Sequence, residues 1–169
     1  FLRYNDTRIH PVVICRGNYY GELEEEYRKI SQIEIVKMDL SKFDFNSNRL
    51  LYAFLKKSNA DCLVDFSGHF SGIVLFVARL AGIQKRIVFY RESSYQFKLN
   101  FLKSLYITFS KFLVKLSATK ILSNSVSALG YFFNITSCFI LPNSFLIDLL
   151  YLNFPFINTE KRLDSLLLL

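Results

Sequence analysis

Asp61-Cys62-Leu63-Val64-Asp65-Phe66-Ser67-Gly68-His69-Phe70-Ser71-Gly72 is the stretch whose reading decides the fold. An apolar run with polar ends breaks sharply at Ser67-Gly68-His69. An apolar helix predicted over 70–81 follows, with Gly82 as its C-cap. A short, continuously apolar strand leading into a helix is the repeating unit of a parallel sheet, because parallel neighbours need a crossover between them.

The same unit repeats on both sides. Toward the N-terminus, Pro11-Val12-Val13-Ile14-Cys15 reads as a buried strand stopped by Arg16-Gly17-Asn18. Residues 21–30 form a charged helix, with Glu22, Glu24, Glu25 and Glu26 early and Arg28 and Lys29 late, the order that suits the helix dipole. Ile33-Glu34-Ile35-Val36 is a further strand, and 46–57 places Leu50, Leu51, Phe54 and Leu55 at helical spacing. Toward the C-terminus come a strand at 86–90, a loop at 91–94, the longest helix at 97–117, a strand at 120–123, a helix at 125–133, and a strand at 138–141 stopped by Pro142-Asn143-Ser144. This alternation predicts an α/β, Rossmann-like fold, a mostly parallel sheet with helices on both faces. Ligands of such sheets bind beyond the carboxyl ends of the strands. The functional candidates are therefore the post-strand segments 16–18, 65–69, 90–94, 124–125 and 143–144.

The chain's 169 residues suffice for one domain with a substantial core, which 18 Phe and 10 Tyr help to fill. The formal charge of +7 fits nucleic acid, an anionic membrane surface, a phosphorylated ligand or simply a solvated basic surface. Cys15, Cys62 and Cys138 sit among apolar residues with no metal-ligand spacing, the pattern of reduced thiols in a cytoplasmic protein. The sequon Asn134-Ile135-Thr136 would matter only in a secreted chain. No apolar run is long enough for a transmembrane helix and no signal peptide is evident. Both ends read as cut from something longer: residues 1–4 look like the end of a helix, and 166–169 stop without a charged tail.

GxGxxG, Walker, HExxH and GxSxG patterns are absent, which leaves a dehydrogenase, a P-loop ATPase, a zinc protease and an α/β-hydrolase without support. Within 65–72, Gly68 and Gly72 let the backbone turn tightly or approach a ligand, and the amides that open the next helix offer an anion site. The plainer reading is a strand-to-helix turn capped by Ser67 or His69. His69, one of two histidines, is a candidate base or an ordinary loop residue, and His10 reads as structural. Arg91 can fork onto a phosphate or carboxylate, with Glu92 orienting it or binding a hydroxyl; alternatively the two form a surface ion pair. In the long helix, Lys103, Lys111 and Lys115 share a face with Asn100, Ser104 and Thr108. Leu102, Leu105, Phe109, Phe112, Leu113 and Leu116 share the other, expected to pack on the sheet. The Lys stripe is a candidate membrane-surface contact. Nucleic acid is disfavoured, since the aromatics lie away from the lysines.

In order and spacing, residues 61–66, Ser71-Gly72, residues 78–83 with Arg86-Ile87, and 89–94 resemble the N-terminal domain of family-4 glycosyltransferases. So do Leu105-Tyr106, residues 121–125 and Ile140-Leu141-Pro142-Asn143, and the capsular and exopolysaccharide subgroup is the most similar. The resemblance implies one half of a GT-B fold lacking its first strand, with residues 1–144 as the acceptor-side domain and 145–169 as a linker to a missing donor half. It implies a retaining hexosyltransferase that takes a nucleotide sugar as donor and a lipid-linked glycan as acceptor at the cytoplasmic face of the membrane. No metal or other cofactor is implied. Cleft-lining residues would be Asp65, Gly68, His69, Tyr90, Arg91, Glu92, Ser93, Ser125 and Asn143, with Arg91 on phosphate and Asp65 and Glu92 on hydroxyls. Alternatives are a non-catalytic remnant or binding module, and another GT-B enzyme such as a sugar-nucleotide epimerase.

Overall fold

The computed structural model describes residues 10–17, 21, 24–30, 33–40, 44–90, 100–123, 139–140 and 166–168. Strands and helices alternate along most of it: β1 (Pro11–Arg16), α1 (Glu24–Arg28), β2 (Glu34–Met38), α2 (Phe45–Ser58), β3 (Cys62–Asp65), α3 (Gly72–Ala81), β4 (Lys85–Tyr90), α4 (Phe101–Ser117), β5 (Lys120–Ser123), β6 (Phe139–Ile140) and β7 (Leu166–Leu168). A 3-10 turn, Gly68–Phe70, joins β3 to α3.

All pairings among the described strands are parallel, and their order is β2-β1-β7-β3-β4-β5-β6. The chain therefore builds outward in opposite directions from β1 and from β3. In a doubly wound sheet the strand between the two halves comes first in the chain. Here that place is taken by β7, in register with Pro11–Val13 of β1 and Cys62–Val64 of β3. The sequence reading leaves 145–169 outside the domain, yet 166–168 is part of its sheet. Two facing strand edges with unpaired backbone groups are a strong template for any extended apolar segment.

The helix boundaries have local causes. Asp44 caps α2, accepting from the backbone N–H groups of Asn46 and Ser47, both at 3.0 Å. Asn59 closes α2 with φ of 47°, and Gly82 closes α3 with φ of 92°, the left-handed conformation predicted for it. At the C-terminus of α4, Arg79 donates to the Leu116 carbonyl and Arg86 to the Ser117 carbonyl, both at 2.6 Å, placing two cations where the helix dipole is negative.

The central strands carry buried residues on both faces of the sheet. On one, Leu63, Val88 and Tyr90 pack with Leu51 and Leu55 of α2, Leu75 and Ala78 of α3 and Val114 of α4. Alternation along β4 sends Phe89 to the other face, where it meets Leu122, with Phe66 and Ile87 beside them. The helix packing departs from expectation at α4. Its buried residues are Ile107, Ser110, Leu113, Val114 and Ser117. Of the face expected to cover the sheet only Leu113 does so, while Leu102, Leu105, Phe109, Phe112 and Leu116 are exposed. The cause is close approach. A Cβ on Gly72 would stand 2.5 Å from the Ser110 carbonyl oxygen, so α3 and α4 meet across small residues that the larger side chains could not replace.

Candidate functional site at the strand ends

The chain adds strands in opposite directions from β1 and from β3, so the switch point lies where Arg16 ends β1 and Asp65 ends β3. The Asp65 side chain is wholly buried, and Arg16 is its charge partner, with Nη2 3.7 Å from Oδ2. That is an ion pair but too long for a hydrogen bond. The other carboxylate oxygen is fully engaged: Oδ1 accepts from the Ser67 backbone N–H at 2.8 Å and from the Ser67 hydroxyl at 2.6 Å. Those bonds hold the carboxylate rigid and leave Oδ2 with no hydrogen-bond donor. A buried carboxylate oxygen in that state is costly to the fold and an unfilled acceptor for a ligand hydroxyl.

Beside Arg16 lies a small hollow whose enclosed part is about 20 Å³, room for a single water, and Asp65 is not on its wall. Arg16, Asn48, Phe70 and Tyr106 contribute to its wall, with Leu51 and Ile73 among its apolar lining. Tyr106 is supplied by α4, and its ring stacks on Phe70 with centroids 6.1 Å apart. Burial pushes the Tyr106 hydroxyl above the ordinary tyrosine range; the nearby Arg16 charge opposes this and the Asp65 charge adds to it. The hydroxyl is therefore neutral at physiological pH, a donor as well as an acceptor. The arrangement offers a fixed acceptor, a partly accessible guanidinium and an aromatic wall. Such a set can receive a small anionic or hydroxyl-bearing group.

The other residues singled out from sequence are placed as follows. Gly68 is buried, with φ of +57°, and a Cβ there would sit 3.4 Å from the Tyr90 ring. It shapes the turn and makes room for Tyr90. Tyr90 is 1% exposed and belongs to the core, while its carbonyl accepts from the Ser123 hydroxyl at 2.9 Å. His69 is buried, its ring 4.1 Å from that of Phe70, and its carbonyl accepts from the Ser110 hydroxyl at 2.8 Å. Neither Ser67 nor Ser71 makes a side-chain cap, so the turn is held by Asp65 and Ser110 rather than by a capping serine or histidine. Lys103 and Lys115 are exposed and Lys111 is half-buried on α4. Arg91, Glu92, Ser93, Ser125 and Asn143 lie outside the described residues.

Arg16 falls inside a post-strand segment named from sequence, and its position at the end of an apolar run was the available signal. Tyr106 had no such signal, because it lies within a helix, far along the chain from the strand ends it approaches. Among the described residues no three His, Cys, Asp or Glu side chains form a metal cage, and no helix is long and apolar enough to cross a membrane.

These features define an α/β protein with a parallel sheet and a polar site at the switch point of its strand order. No protein-family description, no curated protein and no solved structure was found to match the chain.

Proposed function

We propose that this chain is the acceptor-side domain of a retaining GT-B glycosyltransferase that passes a hexose from a nucleotide sugar to a lipid-linked glycan in surface polysaccharide synthesis. The observation that carries this reading is the buried Asp65 carboxylate, with Oδ1 saturated, Oδ2 without a donor and Arg16 at 3.7 Å, at the strand-end crevice. An acceptor sugar hydroxyl donating to Oδ2 would complete the carboxylate's hydrogen bonding. The glycan's diphosphate would draw Arg16, which has donors to spare in its loose ion pair. Tyr106 and Phe70 would form the aromatic wall along the sugar. Of the residues picked from sequence, Arg91 and Glu92 would border the same crevice from the end of β4. The nucleotide-sugar donor would be held mainly by the complementary half of a GT-B enzyme, and the chemistry would need no metal or other cofactor.

The acceptor half of this reading can be tested on the chain itself. Isothermal titration with a detergent-soluble polyprenyl-diphosphate glycan should show binding that Asp65→Asn and Arg16→Ala each weaken by about tenfold, the loss of one charge-assisted contact. Failure of every such glycan to bind, or binding indifferent to both substitutions, refutes the assignment. Turnover of a free nucleotide sugar with no acceptor present would replace it with an epimerase.

A further inference from the structure

The most exposed apolar surface on any described helix lies on α4. Phe101, Leu102, Leu105, Phe109, Phe112 and Leu116 are between 45% and 83% accessible. At about 100° per residue these six fall within a single arc of about 100°, along a helix about 25 Å long. On one side the arc borders the buried seam of Ser110, Leu113 and Ser117. On the other it borders a polar strip carrying Lys111, Ser104, Lys115 and Thr108. Isolated exposed leucines need no explanation, but a continuous stripe of six large apolar side chains on one helix does.

We infer that α4 is a membrane-docking helix, lying in the plane of an anionic bilayer with this arc among the acyl chains and Lys111 and Lys115 at the headgroups. The charge pattern selects this occupant. The helix has no acidic residue, Lys103, Lys111 and Lys115 are its only charges, and the whole chain carries +7. An antiparallel two-fold contact with a second copy sets the same patch against itself and brings lysine strips of like sign together. An anionic lipid surface complements them, and a helix with Phe and Leu on one face and Lys beside it is the form that binds there. Docking needs no opening of the domain. The small-residue seam against α3 and the arginines at its C-terminus fix α4 in place with the apolar arc already outward. This inference rests on α4 alone and not on the sugar-transfer reading, so either can fail without the other.

The test is flotation of the 169-residue chain with vesicles of phosphatidylcholine alone or mixed with phosphatidylglycerol. The chain has no tryptophan, so Phe109→Trp supplies a single reporter whose emission shifts to the blue when it enters the acyl region. Binding should be at least about tenfold tighter to the anionic vesicles and should weaken with salt. The pair Phe109→Ser and Phe112→Ser should abolish it. The pair Lys111→Gln and Lys115→Gln should weaken it by about tenfold and flatten the salt dependence. Both pairs lie off the α3 seam, so circular dichroism should match the parent. Three results overturn the inference: no recovery of the folded chain with anionic vesicles, binding that survives loss of both phenylalanines, or a concentration-dependent dimer that those substitutions disperse.

Discussion

Gly72→Ala tests the contact that sets the position of α4. The added methyl would lie 2.5 Å from the Ser110 carbonyl oxygen, 2.6 Å from its hydroxyl oxygen and 2.8 Å from its Cα, whereas ordinary contact begins near 3.4 Å. The two helices must therefore open by about 0.9 Å at this point. Overpacking of this kind costs about 1–3 kcal/mol. The same opening strains two hydrogen bonds, from the Gly72 N–H to the Ser110 hydroxyl at 3.2 Å and from that hydroxyl to the His69 carbonyl at 2.8 Å. Each contributes about 1 kcal/mol. Alanine's better helix propensity returns up to about 1 kcal/mol, and less here because Gly72 begins its helix. The expected net loss is about 2 kcal/mol, a ~30-fold shift toward the unfolded state. Urea unfolding followed by circular dichroism reads it directly. Gly21→Ala is the control, since a Cβ there meets nothing within 4 Å. Combining Gly72→Ala with Ser110→Gly should recover little, because the nearest obstruction is backbone. A Gly72→Ala protein as stable as the parent, or full recovery in the double variant, would refute the close approach.

Asp44→Ala should lower the melting temperature by roughly 2–4 °C through loss of the α2 cap, and Asp44→Asn, which keeps an acceptor, by less. The Asp44 carboxyl is held below its ordinary value by the Ser47 hydroxyl and then by the Asn46 and Ser47 backbone N–H groups, and that of Glu24 by Lys37 and then Arg28. Both are depressed on folding. The stability they confer is therefore complete above the ordinary values of 3.8 and 4.5 and is lost as pH falls through the lower folded ones. Unfolding curves across that acid range should show the parent losing its advantage over Asp44→Ala. Burial pushes the Cys62 thiol up to about 12, so peptide mapping after alkylation near neutral pH should find it modified only once the chain is unfolded.

The repeating units were legible wherever a short apolar run met a turn residue. Strands 11–16, 62–65, 85–90 and 120–123 follow such runs, and α2 and α3 fall within a residue or two of the spans predicted for them. The turn after β3 was legible as a break but not in its mechanism, because Asp65 serves it through hydrogen bonds that residue type alone does not announce. The position of β7 was not legible. Leu166–Leu168 is only a short apolar run, and its place between β1 and β3 depends on edges remote in sequence. The facing of α4 was misread for a physical reason. Periodicity ranks faces by hydrophobicity, but the approach of two helices is governed by how small the contacting residues are. Ser110 and Ser117 look polar in sequence, yet both are 0% exposed in the structure.

That single seam links the candidate site to the exposed surface. Counting about 100° per residue, Tyr106 lies about 40° from Ser110 on the helix, whereas the centre of the apolar arc lies about 130° away. Turning α4 so that Phe109 and Phe112 faced the sheet would carry Tyr106 away from Arg16 and leave Phe70 alone as the aromatic wall of the hollow. The rotation that aims Tyr106 at the strand ends is thus the rotation that leaves the six apolar side chains outside. Burying them would recover hydrophobic free energy but would require space that Gly72 and Ser110 do not provide. A variant that loosens this seam should therefore change ligand contact at Tyr106 and exposure of the arc together. A substitution on the arc itself should leave the Tyr106 site intact.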